Sequence, residues 1–278
     1  MGVRPTILLA LLLFLDPCRL SAQAPLLAPQ QECEELEEDQ EPPPITYSGA
    51  ELGRFRIFFA GKEIGHEDFE ISGSSSQIKA SSRTQLTISR EDPVEPPEYL
   101  DEEDCEELPP PDRPPAEPVT FRIQSTLRFN DLFEPEAYEV VQDAGPNQMR
   151  AKVEFLPDRS RVSYISDEGI ERKRIELKKD VTVLDDNVFH HYLILSKRYD
   201  LCRGGLQEFS AFVPQQFLAG GISVSEVGKE EVEIEDQPYW LRRFLVDTGE
   251  FKVNFWLDSD LKLQKLAIPD SEVEVVRE

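Results

Sequence analysis

Positive charge is scarce in this sequence. Its 278 residues include 30 Lys and Arg side chains against 55 Asp and Glu, a formal net charge of -25. Nucleic-acid affinity comes mainly from Lys and Arg, so this composition argues against a nucleic-acid-binding protein.

Histidines are also few, at three. The sequence has no Gly-x-Ser-x-Gly, His-Glu-x-x-His, Cys-x-x-Cys or phosphate-binding glycine motif. We therefore predict a protein that is not an enzyme and needs no cofactor.

Long apolar runs are rare as well. The run Ile7–Leu15 follows Arg4 and precedes small residues at Ala22 and Ala24. This pattern is typical of a secretory signal peptide, here predicted to span residues 1–24. The run is shorter than the roughly 20 apolar residues of a transmembrane helix, and no other stretch approaches that length. We therefore expect an exported protein without a transmembrane segment, periplasmic or extracellular.

Two segments carry most of the net negative charge. Residues 25–44 contain seven acidic residues, no basic residue and five prolines, and residues 91–118 contain twelve acidic residues, one basic residue and nine prolines. Segments with few apolar groups and much like charge do not offset the entropy of ordering, so both are predicted to be disordered. The folded domain is then residues 45–278, with 91–118 as an insertion. The acidic segments are either solubilising tails or attachment points for a basic partner.

Cysteine is limited to four residues, of which three remain after signal-peptide removal: Cys33, Cys105 and Cys202. Disulfides persist in the oxidising compartments that exported proteins meet. The preferred pair is Cys33 with Cys105, because both lie in segments able to find each other. Cys202 is then either a reactive thiol favoured by the neighbouring Arg203 or a small buried hydrophobe.

Most of the remaining sequence alternates between apolar and polar residues, the pattern of half-buried strands. The clearest case is residues 119–130, where every second residue from Val119 to Ile123, and then Leu127 and Phe129, is apolar. Turn-forming residues separate the predicted strands, for example Gly61-Lys62, Gly228-Lys229 and Asp258-Ser259-Asp260. Strands that follow one another through tight turns form an antiparallel meander.

One segment has helical periodicity instead. Val188 to Tyr199 contains no Gly or Pro, and its apolar residues recur at helical spacing. The preceding residues 185–187, Asp-Asp-Asn, are predicted to cap this helix. We therefore predict a mainly β protein: a strongly curved antiparallel sheet, or half-barrel, with one buried or lidding helix. An immunoglobulin-like sandwich is the alternative, although a central helix has no place in it.

Aromatic and aliphatic residues occupy both faces of the hairpin at 239–257, for example Trp240, Phe244, Leu245 and Phe255. One face is expected to pack on the helix. The other requires a neighbouring layer, a ligand or a partner.

The three histidines are His66, His190 and His191. Neighbouring residues on a helix point about 100° apart, whereas zinc sites favour ligands three or four residues apart. We therefore predict a structural role for His190 and His191, with no metal site. His66 is expected at the surface near a hairpin turn.

Two stretches resemble a known family: residues 55–65, FRIFFAGKEIG, and residues 255–263, FWLDSDLKL, followed by Ile268-Pro269. Across about residues 45–278 the chain resembles uncharacterised exported bacterial proteins with a domain of unknown function of the 3108-like kind. That family is similar to the lipoprotein carriers LolA and LolB. The resemblance implies a half-barrel whose concave apolar face, covered by helices, holds acyl chains, and it implies no catalytic residues.

The sequence therefore predicts an exported, non-enzymatic binding protein that holds a lipid, acyl chain or lipidated partner on a concave apolar surface. The alternative is a structural or assembly protein of the cell envelope that recruits a basic envelope protein through its acidic segments. The predicted ligand-binding residues are Phe121, Ile123, Leu127, Phe129, Val153, Phe155, Tyr192 and Leu195.

Overall fold

The computed structural model describes residues 49–74, 77–88, 118–145, 147–157 and 159–278. The predicted signal peptide, the acidic segment 25–44, residues 91–117 of the second acidic segment and the predicted Cys33–Cys105 pair lie outside these residues. The described chain forms fifteen strands and one helix, joined in part by 3₁₀ turns at Pro214–Gln216 and Pro269–Ser271. In chain order these elements are β1 Gly49–Phe59, β2 Lys62–Ser74, β3 Gln77–Ile88, β4 Val119–Phe129, β5 Pro135–Ala144, β6 Asn147–Glu154, β7 Ser160–Ser166, β8 Gly169–Ile175, β9 Thr182–Val183, α1 His190–Arg198, β10 Leu206–Val213, β11 Leu218–Ile234, β12 Gln237–Asp247, β13 Lys252–Leu257, β14 Leu263–Ile268 and β15 Val273–Arg277.

All fifteen strands belong to one sheet, in the order β8-β7-β6-β5-β4-β3-β2-β1-β15-β14-β13-β12-β11-β10-β9. Strands β1 to β8 form one antiparallel meander, and β10 to β15 form a second that returns to pair with β1. The two-residue strand β9 pairs in parallel with β10. The predicted mainly β, antiparallel architecture with one helix is confirmed.

The sheet is strongly curved, as the contacts of α1 require. This helix contacts β2 through Glu67 and β5 through Tyr138, and Tyr199 at its carboxyl end contacts Phe244 of β12. In a flat sheet β5 and β12 would lie eight strand spacings, or about 38 Å, apart. A nine-residue helix is only about 14 Å long. The sheet therefore wraps around α1, and the face towards the helix is called the concave face below.

The two sheet edges approach each other without pairing. Strands β8 and β9 stand at opposite ends of the strand order. Phe217, just before β11, lies 5.9 Å from the ring of Tyr164 in β7 and 4.0 Å from the ammonium of Lys173 in β8. Side-chain contacts therefore connect the two ends of the sheet, although β8 and β9 are not paired with each other.

The alternation of apolar and polar residues in β4 gives the strand one buried and one exposed face, as predicted. Ile123, Leu127 and Phe129 are buried on the concave face, whereas Arg122 and Arg128 are exposed on the other. The register of β3 against β4 places Ala80 opposite Leu127, so both strands contribute their apolar faces to the same core. Full burial of each large apolar side chain contributes about 1.5–3 kcal/mol.

Gly228-Lys229 was predicted as a turn, and this prediction was wrong. Strand β11 runs through these residues, and its register against β12 shifts between Glu226 and Gly228. The shift is a β-bulge at Val227, and Gly228 has a φ of 137°, which glycine adopts without strain. Because bulges bend a strand and increase its twist, the hairpin can turn from the concave to the convex side.

The bent hairpin packs on the convex side of the sheet. Val232 and Leu241 of the hairpin form a small second core with Trp256 of β13. The Trp256 indole N–H donates a hydrogen bond of 2.7 Å to Glu230. At the hairpin tip Glu235 forms an ion pair with Arg56 of β1. The chain's own β11–β12 hairpin therefore covers Trp256 on the second apolar face, whereas Trp240, which was expected to be buried, is 71% exposed.

Strand β2 approaches β3 so closely at Gly65 that no side chain fits. A Cβ at Gly65 would lie 1.9 Å from the backbone oxygen of Gln85. We predict that Gly65→Ala lowers the free energy of unfolding by about 1–3 kcal/mol, or more, because the two strands must separate. Guanidinium-induced unfolding measures this change.

Gly220→Ala is the matched control, since a Cβ at Gly220 of β11 would meet no atom within 4 Å and the residue has no positive φ. This variant should be neutral, or stabilised by about 0.4–1 kcal/mol through a less flexible unfolded chain. Equal stability of the two variants would contradict the predicted close approach.

Candidate functional site

The eight residues predicted to bind a ligand come together in the structure. Four lie on β4, Val153 and Phe155 lie on and just after β6, and Tyr192 and Leu195 lie on α1. Ile123, Leu127, Phe129, Val153 and Leu195 are buried in the main hydrophobic core, and Phe121, Phe155 and Tyr192 are partly buried against it. Their role in ligand binding stays a prediction.

This core also contains residues from the opposite half of the sheet. Leu193 of α1, Phe244 of β12 and Phe255 of β13 are fully buried in the same cluster, and the rings of Phe244 and Phe255 stack with centroids 4.9 Å apart. Apolar side chains from both halves thus occupy the interior around α1. A ligand on the concave face therefore has to displace the helix or the side chains beneath it.

A buried carboxylate fixes the amino-terminal end of α1. Glu67 of β2 is completely buried, and its Oε2 accepts hydrogen bonds from the backbone N–H groups of Phe189 (2.9 Å) and His190 (3.1 Å). The first N–H groups of a helix have no partner within the helix. A negative charge at this end also interacts favourably with the helix dipole. Glu67 therefore caps the helix from a distant strand.

The same carboxylate contacts an imidazole ring. The Nδ1 atom of His190 lies 2.8 Å from Oε1 of Glu67, and both side chains have no exposed surface. An ionised carboxylate only accepts hydrogen bonds, so His190 donates from Nδ1. A buried carboxylate is costly unless it is fully hydrogen-bonded, and Glu67 accepts three hydrogen bonds.

The predicted cap at residues 185–187 was wrong. The helix begins at His190, two residues later than predicted, and ends at Arg198. Asp185 is buried and accepts hydrogen bonds from the Tyr138 hydroxyl (2.7 Å) and the backbone N–H of Gln215 (3.1 Å). Its carboxylate thus links β5 to the segment after β10. Glu67 instead supplies the helix cap.

Burial shifts the pKa values of this second carboxyl group and its neighbours. Burial raises the pKa of Asp185 to about 7, although the hydrogen bond from Tyr138 opposes the shift. Burial and the adjacent Asp185 raise the pKa of the Tyr138 hydroxyl well above its usual value. Burial also raises the pKa of Asp186. Asp185 therefore changes charge near neutral pH inside the protein.

His191 is a neutral imidazole with a defined proton position. Its Nδ1 accepts a hydrogen bond of 3.2 Å from the backbone N–H of Asp185, so its proton is on Nε2. Burial, and then repulsion from His190, lower the pKa of His191 well below its usual value. Within the described chain the Nε2 atoms of His190 and His191 have no hydrogen-bond partner. An unpaired buried polar group costs about 1–3 kcal/mol, so these two atoms lower the stability of the folded protein.

The carboxyl-terminal end of α1 is held by an ion pair and by side-chain hydrogen bonds. Lys197 forms an ion pair of 3.2 Å with Glu51 of β1, and Arg198 donates hydrogen bonds to the Thr182 hydroxyl and the Asp180 carbonyl. The Tyr199 hydroxyl donates to the carbonyl of Gly205 at 2.6 Å. Cations near this end also interact favourably with the helix dipole.

Glu67, Tyr138, Asp185, His190 and His191 form a polar cluster around the amino-terminal end of α1. Their side chains are at most 7% exposed. Among the described residues, no group of three or more His, Cys, Asp and Glu side chains has an arrangement that would hold a metal ion. None of the described helices is long and apolar enough to cross a membrane. His66 lies in the middle of β2 and is half exposed.

Cys202 lies in the exposed segment between α1 and β10 and is disulfide-bonded. Both interpretations offered from the sequence, a reactive thiol and a small buried hydrophobe, were therefore wrong. Its disulfide partner lies outside the described residues.

Sequence reasoning did not identify Glu67, although a signal was present. Glu67, Phe69 and Ile71 alternate along β2, and all three face the core. An acidic residue in register with two core residues indicates a buried carboxylate, which requires donors from elsewhere in the fold. Those donors are more than 120 residues away in sequence, so the pattern could reveal the burial of Glu67 but not its partners.

Comparisons with known proteins give a distant structural neighbour. No family model matches the chain, and no curated protein matches it. The structure is similar to the crystal structure of a DUF1089 family protein from Pseudomonas aeruginosa, with 9% identity, a TM-score of 0.37, and coverage of 74% of this chain and 90% of that one. The resemblance to the 3108-like family and to LolA and LolB stays an expectation.

The pKa of Asp185 predicts a specific pH dependence of stability. Between its ordinary value of 3.8 and about 7, the folded chain retains a proton that the unfolded chain releases. Raising the pH across this window therefore lowers the stability of the parent protein. Asp185→Asn cannot ionise, so its free energy of unfolding relative to the parent should rise between pH 4 and pH 7, by as much as about 4 kcal/mol. Guanidinium unfolding at several pH values measures this change.

Asp167→Asn is the control, because it removes the same charge from an exposed turn between β7 and β8. Its difference from the parent should stay nearly constant over this range. A constant difference for Asp185→Asn as well would show that the pKa of Asp185 is not raised in the folded protein.

Proposed function

We propose that the chain is an exported, non-enzymatic binding protein that holds a lipid, an acyl chain or a lipidated partner on the concave face of its sheet. The observation that carries this proposal is the short helix that covers the concave face. A continuous fifteen-stranded sheet directs its apolar side chains inward, and the helix packed among them, α1, is nine residues long. Displacement of this short helix would expose a large apolar surface.

The contacts of α1 suit a displaceable element. Its amino-terminal end depends on hydrogen bonds to Glu67, and water can replace these when the helix leaves. The unpaired Nε2 atoms of His190 and His191 regain hydrogen bonds in water, which lowers the cost of opening. Asp185 also ionises more readily when hydrated, because burial is what raises its pKa.

Burial of an acyl chain is the source of free energy for such a displacement. Burial contributes about 0.8 kcal/mol per methylene, so a chain with about 14 methylenes gains roughly 11 kcal/mol. Loss of translational and rotational freedom costs an estimated 4–15 kcal/mol. The balance permits measurable affinity only when most of the acyl chain is enclosed.

Two features support export. The sequence begins with the pattern of a secretory signal peptide. Cys202 is disulfide-bonded, and disulfides are common in exported proteins and rare in the cytosol. These features support our proposal that the protein is periplasmic or extracellular.

We predict that the mature chain binds one molecule of palmitate or of the fluorescent fatty acid cis-parinarate. Native mass spectrometry gives the stoichiometry and fluorescence titration gives the Kd. Phe155→Ala, which shortens a partly buried side chain packed against the core, should raise the Kd at least fivefold because ligand contacts are lost. Hydrogen exchange of the α1 amides should become faster when ligand is bound, because the helix is displaced.

Leu132→Ala is the matched control, since Leu132 is an apolar residue about half exposed in the β4–β5 connection. It should bind the probe as the parent does. Absence of probe binding by the parent, or equal weakening in both variants, would contradict a ligand site on the concave face.

The packed interior favours a second candidate, a structural or assembly protein of the cell envelope acting through its acidic segments. All eight predicted ligand-binding residues already contact the protein's own core. The same titration on a chain lacking residues 25–44 and 91–118 separates the two functions. Fatty-acid binding that the shortened chain retains supports the first function. The second function is supported if neither chain binds fatty acid and if the shortened chain, still folded, no longer binds a basic envelope protein.

A further inference from the structure

A second feature lies on the outer face of the sheet, near its β8 edge. A pocket of about 250 Å³ is lined by Leu156 and by three arginines, Arg159, Arg161 and Arg174. Val162, next to Arg161 in β7, is buried in the main core. Since neighbouring residues in a strand point to opposite faces, Arg161 lies on the side away from α1. This pocket, called the arginine pocket below, is therefore separate from the concave face.

The strand register places like charges side by side. Arg161 of β7 is directly opposite Arg174 of β8, and Arg172 lies two residues along β8 on the same face. Like charges in direct cross-strand pairs are destabilising. A positively charged cluster in a chain with a net charge of -25 is against the trend of its composition.

Nearby carboxylates compensate this charge only in part. Glu154 of β6 pairs with Arg161 across the strands, with 3.5 Å between Oε2 and Nη1, and both side chains are more than 60% exposed. Exposed pairs of this kind contribute at most about 1 kcal/mol. Among the described residues Arg174 has no ion pair within 4 Å.

We propose that the arginine pocket binds a phosphate group. Guanidinium groups form paired, charge-assisted hydrogen bonds to phosphate oxygens, and two or more around one small pocket give both charge and direction. The volume is below the roughly 300 Å³ at which sites for drug-sized ligands begin, so it suits a phosphate or a phosphorylated headgroup rather than an acyl chain. A bound phosphate also removes the repulsion between Arg161 and Arg174.

Titration of the full mature chain with inorganic phosphate tests the proposal by ³¹P NMR and calorimetry. The parent should bind phosphate saturably, and Arg161→Gln with Arg174→Gln should raise the Kd at least tenfold. The double change Arg161→Lys with Arg174→Lys keeps the charge but removes the paired hydrogen bonds, so it should give an intermediate Kd. Circular dichroism establishes that each variant is folded.

The matched control combines Arg122→Gln with Arg128→Gln, which removes two exposed arginines from β4. Parallel sedimentation with phosphatidylglycerol vesicles, against phosphatidylcholine vesicles, identifies the source of the phosphate. Phosphate binding without vesicle binding indicates a soluble phosphate ligand, whereas vesicle binding that the glutamine variant of the pocket loses indicates a lipid headgroup. No binding to either probe, or equal loss in the pocket variant and the β4 control, would overturn the proposal.

Discussion

The position of α1 depends on one buried carboxylate. Glu67 lies inside an apolar interior, where an ionised group without partners would cost several kcal/mol. Its three hydrogen bonds come from the backbone at the start of α1 and from His190, so the charge is compensated only when the helix is in place. Helix and strand therefore stabilise each other. The curvature of the sheet around the helix follows from the same arrangement, since α1 also contacts β5 and its carboxyl end contacts β12.

A sheet of this length has two edge strands and a large convex face, and all of them would be exposed if no other part of the chain covered them. Side-chain contacts of Phe217 join the two ends, and the bulge at Val227 bends the β11–β12 hairpin onto the convex side. Exposed edges invite pairing with other chains, and charged residues protect them. Strand β8 carries Arg172, Lys173 and Arg174, so its edge is protected by charge. The arginine pocket is then a second use of residues that also prevent edge pairing.

The sequence predicted the local parts of this structure better than the long-range ones. Alternation in β4 identified both the strand and its buried face, because a half-buried strand imposes a period of two on its own residues. The helix was placed within two residues of its start. The prediction of a cap at Asp185 failed because any acidic residue before a helix matches the capping pattern, whereas its real partners, Tyr138 and Gln215, lie at least 30 residues away. Gly228-Lys229 predicts a turn because glycine occurs both in turns and beside bulges such as the one at Val227, and only the pairing of strands distinguishes the two.

Amide hydrogen exchange at Phe189 and His190 tests most directly whether Glu67 holds α1 in place. We predict that both amides exchange slowly in the parent protein and much faster in Glu67→Ala, while β4 amides stay protected in both. Phe189 and His190 amides that exchange equally fast in the parent and in Glu67→Ala would contradict it, since the helix would then be held without the carboxylate.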